Sequence, residues 1–329
     1  MKKIIICISI FLAATLFIFN ACNEEDFSSN EYYEYIVYLM SRETRNYQNI
    51  YNVSHPYNDG ATTLGYISVG CGGSLANPEE ITVELELDNT PLDLYNSMID
   101  SDDKAKLLSE DRYFIPSLKA VLPANSKNQY ARLPVFVMTD GLSPDSMYVI
   151  PLAIKSVSGG YQANPEKSTV LYRIVMDNYY ANQVVSSFYS VRGYNLNETS
   201  LEPLTGFTNS KVLKPIAKYS VRMLAGEETS EKTEMFTLAE LEKSAMIVTV
   251  DHDDKSVTYT PYGTIEVEKI EDEEWNYYSE ERNNMFDQSV TKYFYLRYKY
   301  RTVKTSATET EPAVYNNWKY VQEILRRIE

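Results

Sequence analysis

Carboxylates beside aromatic rings are the residues of this chain best suited to chemistry on sugars. Glu271, Asp272, Glu273 and Glu274 run directly into Trp275, and Tyr277 and Tyr278 follow. A ring face can cover the apolar side of a sugar, while carboxylates accept hydrogen bonds from its hydroxyls. A second set lies on one face of a predicted strand, where Tyr293 and Tyr295 share their side with Arg297. Asp272, Trp275, Tyr277, Tyr278, Tyr293, Tyr295 and Arg297 are therefore the candidate carbohydrate-binding residues. The same residues also suit a solvated acidic loop and cross-strand packing, which the pattern alone does not separate from binding.

Other chemistry finds less material. Glycoside hydrolysis needs two carboxylates about 5–9.5 Å apart. The acidic run 271–274 supplies carboxylates in one loop, without a strand-borne Asp-x-Asp-x-Glu series. His55 and His252 are the only histidines, one before Pro56 in an expected loop and one in an expected hairpin turn, and no Gly-x-Ser-x-Gly elbow is present. Asp251, Asp253 and Asp254 could offer oxygens to calcium, but they lack the Asp-x-Asp-x-Asp-Gly spacing and the distal Glu. Gly70-Cys71-Gly72-Gly73-Ser74 lacks the Gly-Lys-Ser/Thr of a phosphate loop and reads as a bulge or turn. No catalytic residue, metal or cofactor is expected.

The elements that must position these groups read as strands. Ile81, Val83, Leu85 and Leu87 alternate with Thr82, Glu84, Glu86 and Asp88, the period of a strand with one solvated face. Apolar runs at 133–138, 148–154 and 170–176 follow, with Asp140-Gly141 and Gly159-Gly160 as turn signals. A helix is expected after Ser101, with Asp102 and Asp103 at its positive end and Ala105, Leu107 and Leu108 following. Past a boundary near 177–182, Thr237-Leu238-Ala239-Glu240 fits a capping box, and 246–250 with 256–260 reads as a hairpin. Val290 to Val303 reads as a long strand with Phe294, Leu296, Tyr298 and Tyr300 on one face. Trp318, Val321, Leu325 and Ile328 recur at helical spacing, with a final strand as the competing reading. The fold class is all-β, an N-terminal β-sandwich followed by an antiparallel barrel or a second sandwich.

The N-terminus carries an address. Lys2 and Lys3 precede an apolar run from Ile4 to Phe19, too short to span a roughly 30 Å hydrocarbon core, as in a secretory signal peptide. Phe19-Asn20-Ala21-Cys22 resembles a bacterial lipobox, although Phe19 stands where the pattern prefers Leu. The reading is a signal peptide at 1–21, lipidation of Cys22, and an acidic linker at 22–30. Two or three acyl chains would hold the protein to a membrane durably. Asn23-Glu24-Glu25-Asp26 resembles the surface-export signal of lipoproteins from Gram-negative gut commensals, which implies the exterior of the outer membrane. Only Cys71 then remains, so no internal disulfide is available. The formal net charge is −15, which disfavours nucleic acid as a partner.

Ile81 to Asp88, Tyr95-Asn96, Leu122-Pro123-Ala124-Asn125, Tyr148 to Ser156 and a closing strand at 167–176 form one pattern. That pattern resembles an Ig-like family of unknown function found at the N-terminus of surface lipoproteins in polysaccharide-utilisation systems. Asn125 replaces the usual glycine of the family's turn. The resemblance implies an Ig-like β-sandwich over 31–178 and, in the companion module at 182–329, a lipocalin-like barrel. It also implies polysaccharide or oligosaccharide as ligand, with an outer-membrane transporter and its glycan-capturing lipoprotein as neighbours. A non-catalytic glycan-binding role is the expectation. A structural or adhesive surface protein that binds a protein partner is the alternative.

Overall fold

Side-chain alternation sorts the chain into three large sheets in a computed structural model that describes residues 31, 33–41, 49–99, 104–126, 128–185, 187–228, 238–282, 289–305 and 312–328. The signal segment, Cys22 and the acidic linker lie outside the described residues.

The N-terminal part is a two-sheet sandwich, as the Ig-like resemblance implies. One sheet runs Gln162–Ala163, Ile36–Leu39, Thr63–Cys71, Tyr130–Val137, Tyr113–Phe114. The other runs Ile50–Pro56, Thr169–Asp177, Tyr148–Val157, Ile81–Leu87, Lys119–Leu122. Val37, Val69, Val135, Ile81, Val83, Ile150, Leu152 and Ile174 are among the residues that fill the space between them. The central strands Tyr148–Val157 and Thr169–Asp177 read as continuous apolar runs because both of their faces are covered. One face meets the core, and the other meets Leu92 and Tyr95 of the helix Thr90–Ser97.

The second half forms a nine-stranded antiparallel sheet that curls into a nearly closed barrel. Its order is Val257–Pro261, Ala245–Val250, Ser220–Leu224, Pro203–Ala217, Ser187–Leu196, Lys319–Ile328, Val290–Arg301, Glu266–Lys269, with Tyr277–Arg282 also paired to Val290–Arg301. The seam closes where Val257 N–H donates to Asn276 O at 2.7 Å and Tyr278 N–H donates to Lys255 O at 2.9 Å. Closure of this kind removes exposed strand edges. Inside lie Tyr189, Val191, Met246, Val248, Phe294, Leu296, Tyr298, Tyr300, Val321 and Leu325.

Five local expectations are corrected. Lys106–Leu107 is a short strand that pairs in parallel with Tyr148 and Val149, not a helical turn. A helix runs from Thr90 to Ser97, where Pro91, which has no N–H, suits a first turn whose N–H groups have no intrahelical acceptor. Ser101, Asp102 and Asp103 lie outside the described residues, as does Thr237 of the capping box, although a helix does run from Leu238 to Ser244. His55 sits in the strand Ile50–Pro56, fully buried, because the backbone of that strand pairs with Thr169–Asp177. Gly70 and Cys71 end the strand Thr63–Cys71. The C-terminus is the strand Lys319–Ile328, paired on both sides, and not a helix. Its true alternation is Val321, Glu323, Leu325 inward, and a glutamate at an inward position disguised the period. Tyr277 and Tyr278 belong to a strand rather than a loop.

Candidate functional site

The linker between the two parts places tyrosines at one end of the barrel. Asn178 Oδ1 accepts from the N–H groups of Tyr180 and Ala181 at 3.0 and 2.9 Å, an Asx turn. Its Nδ2 donates to Ala217 O and Ser220 O at 2.7 and 2.9 Å, which ties the turn to the barrel. Tyr180 therefore packs edge-on against Tyr278, with centroids 4.9 Å apart, and against Phe294 at 5.6 Å. The Tyr189 hydroxyl donates to Tyr180 O at 2.8 Å. On the opposite wall Tyr219 lies 5.1 Å from the ring of His252, which the hairpin turn 251–255 presents.

These groups enclose a cavity of about 510 Å³. Tyr179, Tyr180, Tyr219 and Tyr278 supply aromatic surface, and His252, Lys255, Ser279 and Glu280 supply polar groups. Tyr179 remains exposed, whereas Tyr180 and Tyr278 are buried. Burial, and then the charge of Glu280, push the Tyr180 phenol up to about 12. The same causes, with the hydroxyl donating to Glu280 Oε1 at 2.8 Å, raise Tyr278 further. Both phenols stay protonated at neutral pH. Aromatic walls with a few convergent polar groups are the make-up of a small-ligand pocket. They suit stacking against a sugar and hydrogen bonding to its hydroxyls.

The residues singled out from sequence divide between two faces. Tyr278 points into this cavity. The other six lie on the outside of the barrel, where Tyr277 stands directly opposite Tyr295 in register. Their rings stack 4.5 Å apart at 12°. Tyr293 stacks on Tyr295 at 6.0 Å, and Trp275 meets Tyr295 edge-on at 6.3 Å. The ladder thus uses its ring faces largely on itself. Arg297 pairs with Asp272 and donates to Leu201 O at 2.9 Å, so this charge pair fastens the loop before Trp275 to the sheet. Asp251 accepts from the N–H groups of Asp253 and Asp254, and Asp254 accepts from that of Ser256, so these aspartates shape the hairpin turn. Among the described residues no group of three or more His, Cys, Asp or Glu is gathered as metal ligands would be.

Tyr179, Tyr180 and Tyr219 were not singled out by sequence reasoning. The adjacent pair Tyr179-Tyr180 at the expected boundary was the available signal, because no strand period accounts for either ring.

Two family models match the chain, an N-terminal domain model over residues 30–160 and a C-terminal domain model over residues 168–326. The fold is similar to that of a Bacteroides ovatus protein of unknown function, at 15% identity and a TM-score of 0.62, covering 89% of this chain and 94% of the other. It is also similar to a Bacteroides ovatus multidomain protein that includes DUF1735, at 14% identity and 0.60, covering 89% and 94%. An auxiliary nutrient binding protein of Bacteroides thetaiotaomicron is similar at 15% identity and 0.54, covering 85% and 91%. No curated protein matches the chain.

Proposed function

The chain belongs to this two-domain family of Bacteroidetes proteins, and from that premise we propose that it is a non-catalytic, glycan-binding lipoprotein of the cell surface. Cys22 is its lipid anchor, and the acidic residues 24–26 direct it to the exterior of the outer membrane. The sandwich at 31–178 holds the barrel at 182–329 away from the lipid, and the barrel takes the ligand. An outer-membrane transporter and its glycan-capturing lipoprotein are its working neighbours.

The observation that carries this reading is the convergence of Tyr179, Tyr180, Tyr219 and Tyr278 on one cavity. Its volume lies in the range of about 300–1,000 Å³ usual for small-ligand sites, enough for a short run of sugar rings. The likeness in fold to a structure described as an auxiliary nutrient binding protein supports the class of role. Affinity electrophoresis of the lipid-free protein through gels that contain host and plant glycans tests it. Retardation by at least one glycan, weakened by Tyr179→Ala and Tyr219→Ala, is the expected result. No retardation by any glycan, together with capture of a defined protein partner, would replace it with the adhesive reading. Metabolic labelling with an acyl probe, lost in Cys22→Ala, tests the anchor.

A further inference from the structure

A second cavity lies at the junction of the two domains and collects positive charge in an acidic chain. It has a volume of about 250 Å³, and Lys104, Lys106 and Arg173 line it together with Tyr95, Ser146 and Gln183. The three cations come from two separate segments. Arg173 stands on the outer face of the strand Thr169–Asp177, beside the helix that carries Tyr95, while Lys104 and Lys106 follow that helix. Lys106 Nζ donates to Ser146 Oγ at 2.9 Å. Among the described residues, none of the three is paired with a carboxylate. Asp145 also lines the cavity, but both its oxygens are engaged by Arg222. Arg173 Nε is buried without a hydrogen-bond partner. A half-buried guanidinium without a counter-charge is unfavourable, and its planar fork matches the oxygens of an anion. Burial lowers the Arg173 pKa from its ordinary value, in keeping with a charge that lacks a partner.

We infer that this cavity is a binding site for a single oxyanion group, carried either by an acidic sugar or by free inorganic phosphate. The small volume suits one charged group or one ring rather than a chain. Tyr95 and Ser146 offer hydroxyl groups to the remainder of a sugar. The site is separate from the barrel mouth, so it stands or falls independently of the glycan reading proposed there.

Isothermal titration calorimetry of the lipid-free full chain tests it, with galacturonate, inorganic phosphate and galactose as three titrants. Binding of galacturonate or phosphate, with galactose inert, is expected, and which anion binds identifies the source. Arg173→Gln should weaken binding roughly tenfold or more, since it removes the half-buried charge that the anion would pair with. Lys106→Gln, at an exposed position, should weaken it by a smaller factor and keeps the test open if Arg173→Gln misfolds. Tyr219→Ala should leave the anion affinity unchanged. The inference is overturned if neither anion binds, or if binding survives both charge-removing substitutions.

Discussion

Asp145 of the sandwich and Arg222 of the barrel form a two-pronged ion pair across the domain junction, with Oδ2···Nη1 at 2.5 Å and Oδ1···Nη2 at 2.7 Å. Arg222 is only 1% exposed, and its guanidinium lies over the Tyr262 ring at 4.7 Å. Gln183 reinforces the latch, since its Nε2 donates to Pro144 O and Ser146 O at 2.9 Å each. Lys214 Nζ then donates to Gln183 O at 2.8 Å. The loop 144–146 is thereby held to both the linker and the barrel.

Removal of the carboxylate should leave a buried guanidinium without a partner. Asp145→Ala is expected to cost about 2–3 kcal/mol, below the roughly 3–5 for a dry pair, because Asp145 keeps 40% of its side chain exposed. Thermal unfolding should also separate into two transitions as the domains lose their coupling. A single transition at the parental midpoint would show that the pair does not join them.

His55 makes stability depend on pH. Thr63 Oγ1 donates to Val137 O at 3.1 Å, so it accepts from His55 Nδ1–H at 2.9 Å. Nε2 is then the bare nitrogen and accepts from the Tyr172 hydroxyl at 2.8 Å. Gly65 packs beside this pair, and a Cβ there would collide with the Tyr172 hydroxyl. Burial lowers the His55 pKa from 6.5 to about 4. The unfolded chain therefore takes up a proton near pH 6.5 and the folded chain does not until near pH 4. The stability contribution is complete above pH 6.5 and is lost as pH falls toward 4. Urea unfolding at pH 7 and pH 5 should differ by about 2 kcal/mol from this group alone. In His55→Gln that part of the difference should vanish, and an unchanged pH dependence would reassign it to carboxylates.

Much of the fold was legible because strands announce themselves by period. The strand Val290–Arg301 buries Phe294, Leu296, Tyr298 and Tyr300 as its alternation predicts, and the hairpin Ala245–Val250 with Val257–Pro261 forms where turn-forming residues separate two β-branched runs. The C-terminal strand was masked because Glu323 occupies an inward place that hydrophobicity cannot flag. Its partner Lys211 is more than a hundred residues away in the chain. The candidate site was harder to read for the same reason. Tyr180, Tyr219 and Tyr278 meet only when the barrel closes, and no local spacing records that. Trp275 and Tyr277 looked like a binding loop because an acidic run precedes them. Register places Tyr277 opposite Tyr295, and Trp275 meets the same ring edge-on.

The Glu323–Lys211 pair carries its own prediction. Glu323 accepts from Lys211 Nζ at 2.8 and 2.6 Å and from the Tyr298 hydroxyl at 2.7 Å, and Gly226 N–H donates to that hydroxyl at 2.7 Å. Burial pulls the Lys211 pKa down, and the Glu323 charge opposes this. Glu323→Gln should cost about 3–5 kcal/mol, because it strands the ammonium in the barrel core. Combining Lys211→Met with Glu323→Leu should recover most of that loss, since both charges are gone and the Tyr298 hydroxyl still accepts from Gly226 N–H. Chemical denaturation of both variants checks the contrast. Equal losses would mean that the network stabilises beyond its own desolvation cost.

The final prediction separates packing from binding at the outer aromatic ladder. Tyr295 is touched by Tyr277, Tyr293 and Trp275, and each aromatic pair contributes about 0.5–1.5 kcal/mol beyond buried area. Tyr295→Ala should therefore lower stability by about 2–3 kcal/mol while glycan retardation stays unchanged. Tyr179→Ala should do the reverse, because Tyr179 is 54% exposed at the cavity. Denaturation midpoints and gel mobility, measured on the same two variants, decide between the faces. If Tyr295→Ala abolished retardation without a loss of stability, the outer ladder would be the ligand surface and the barrel mouth would not.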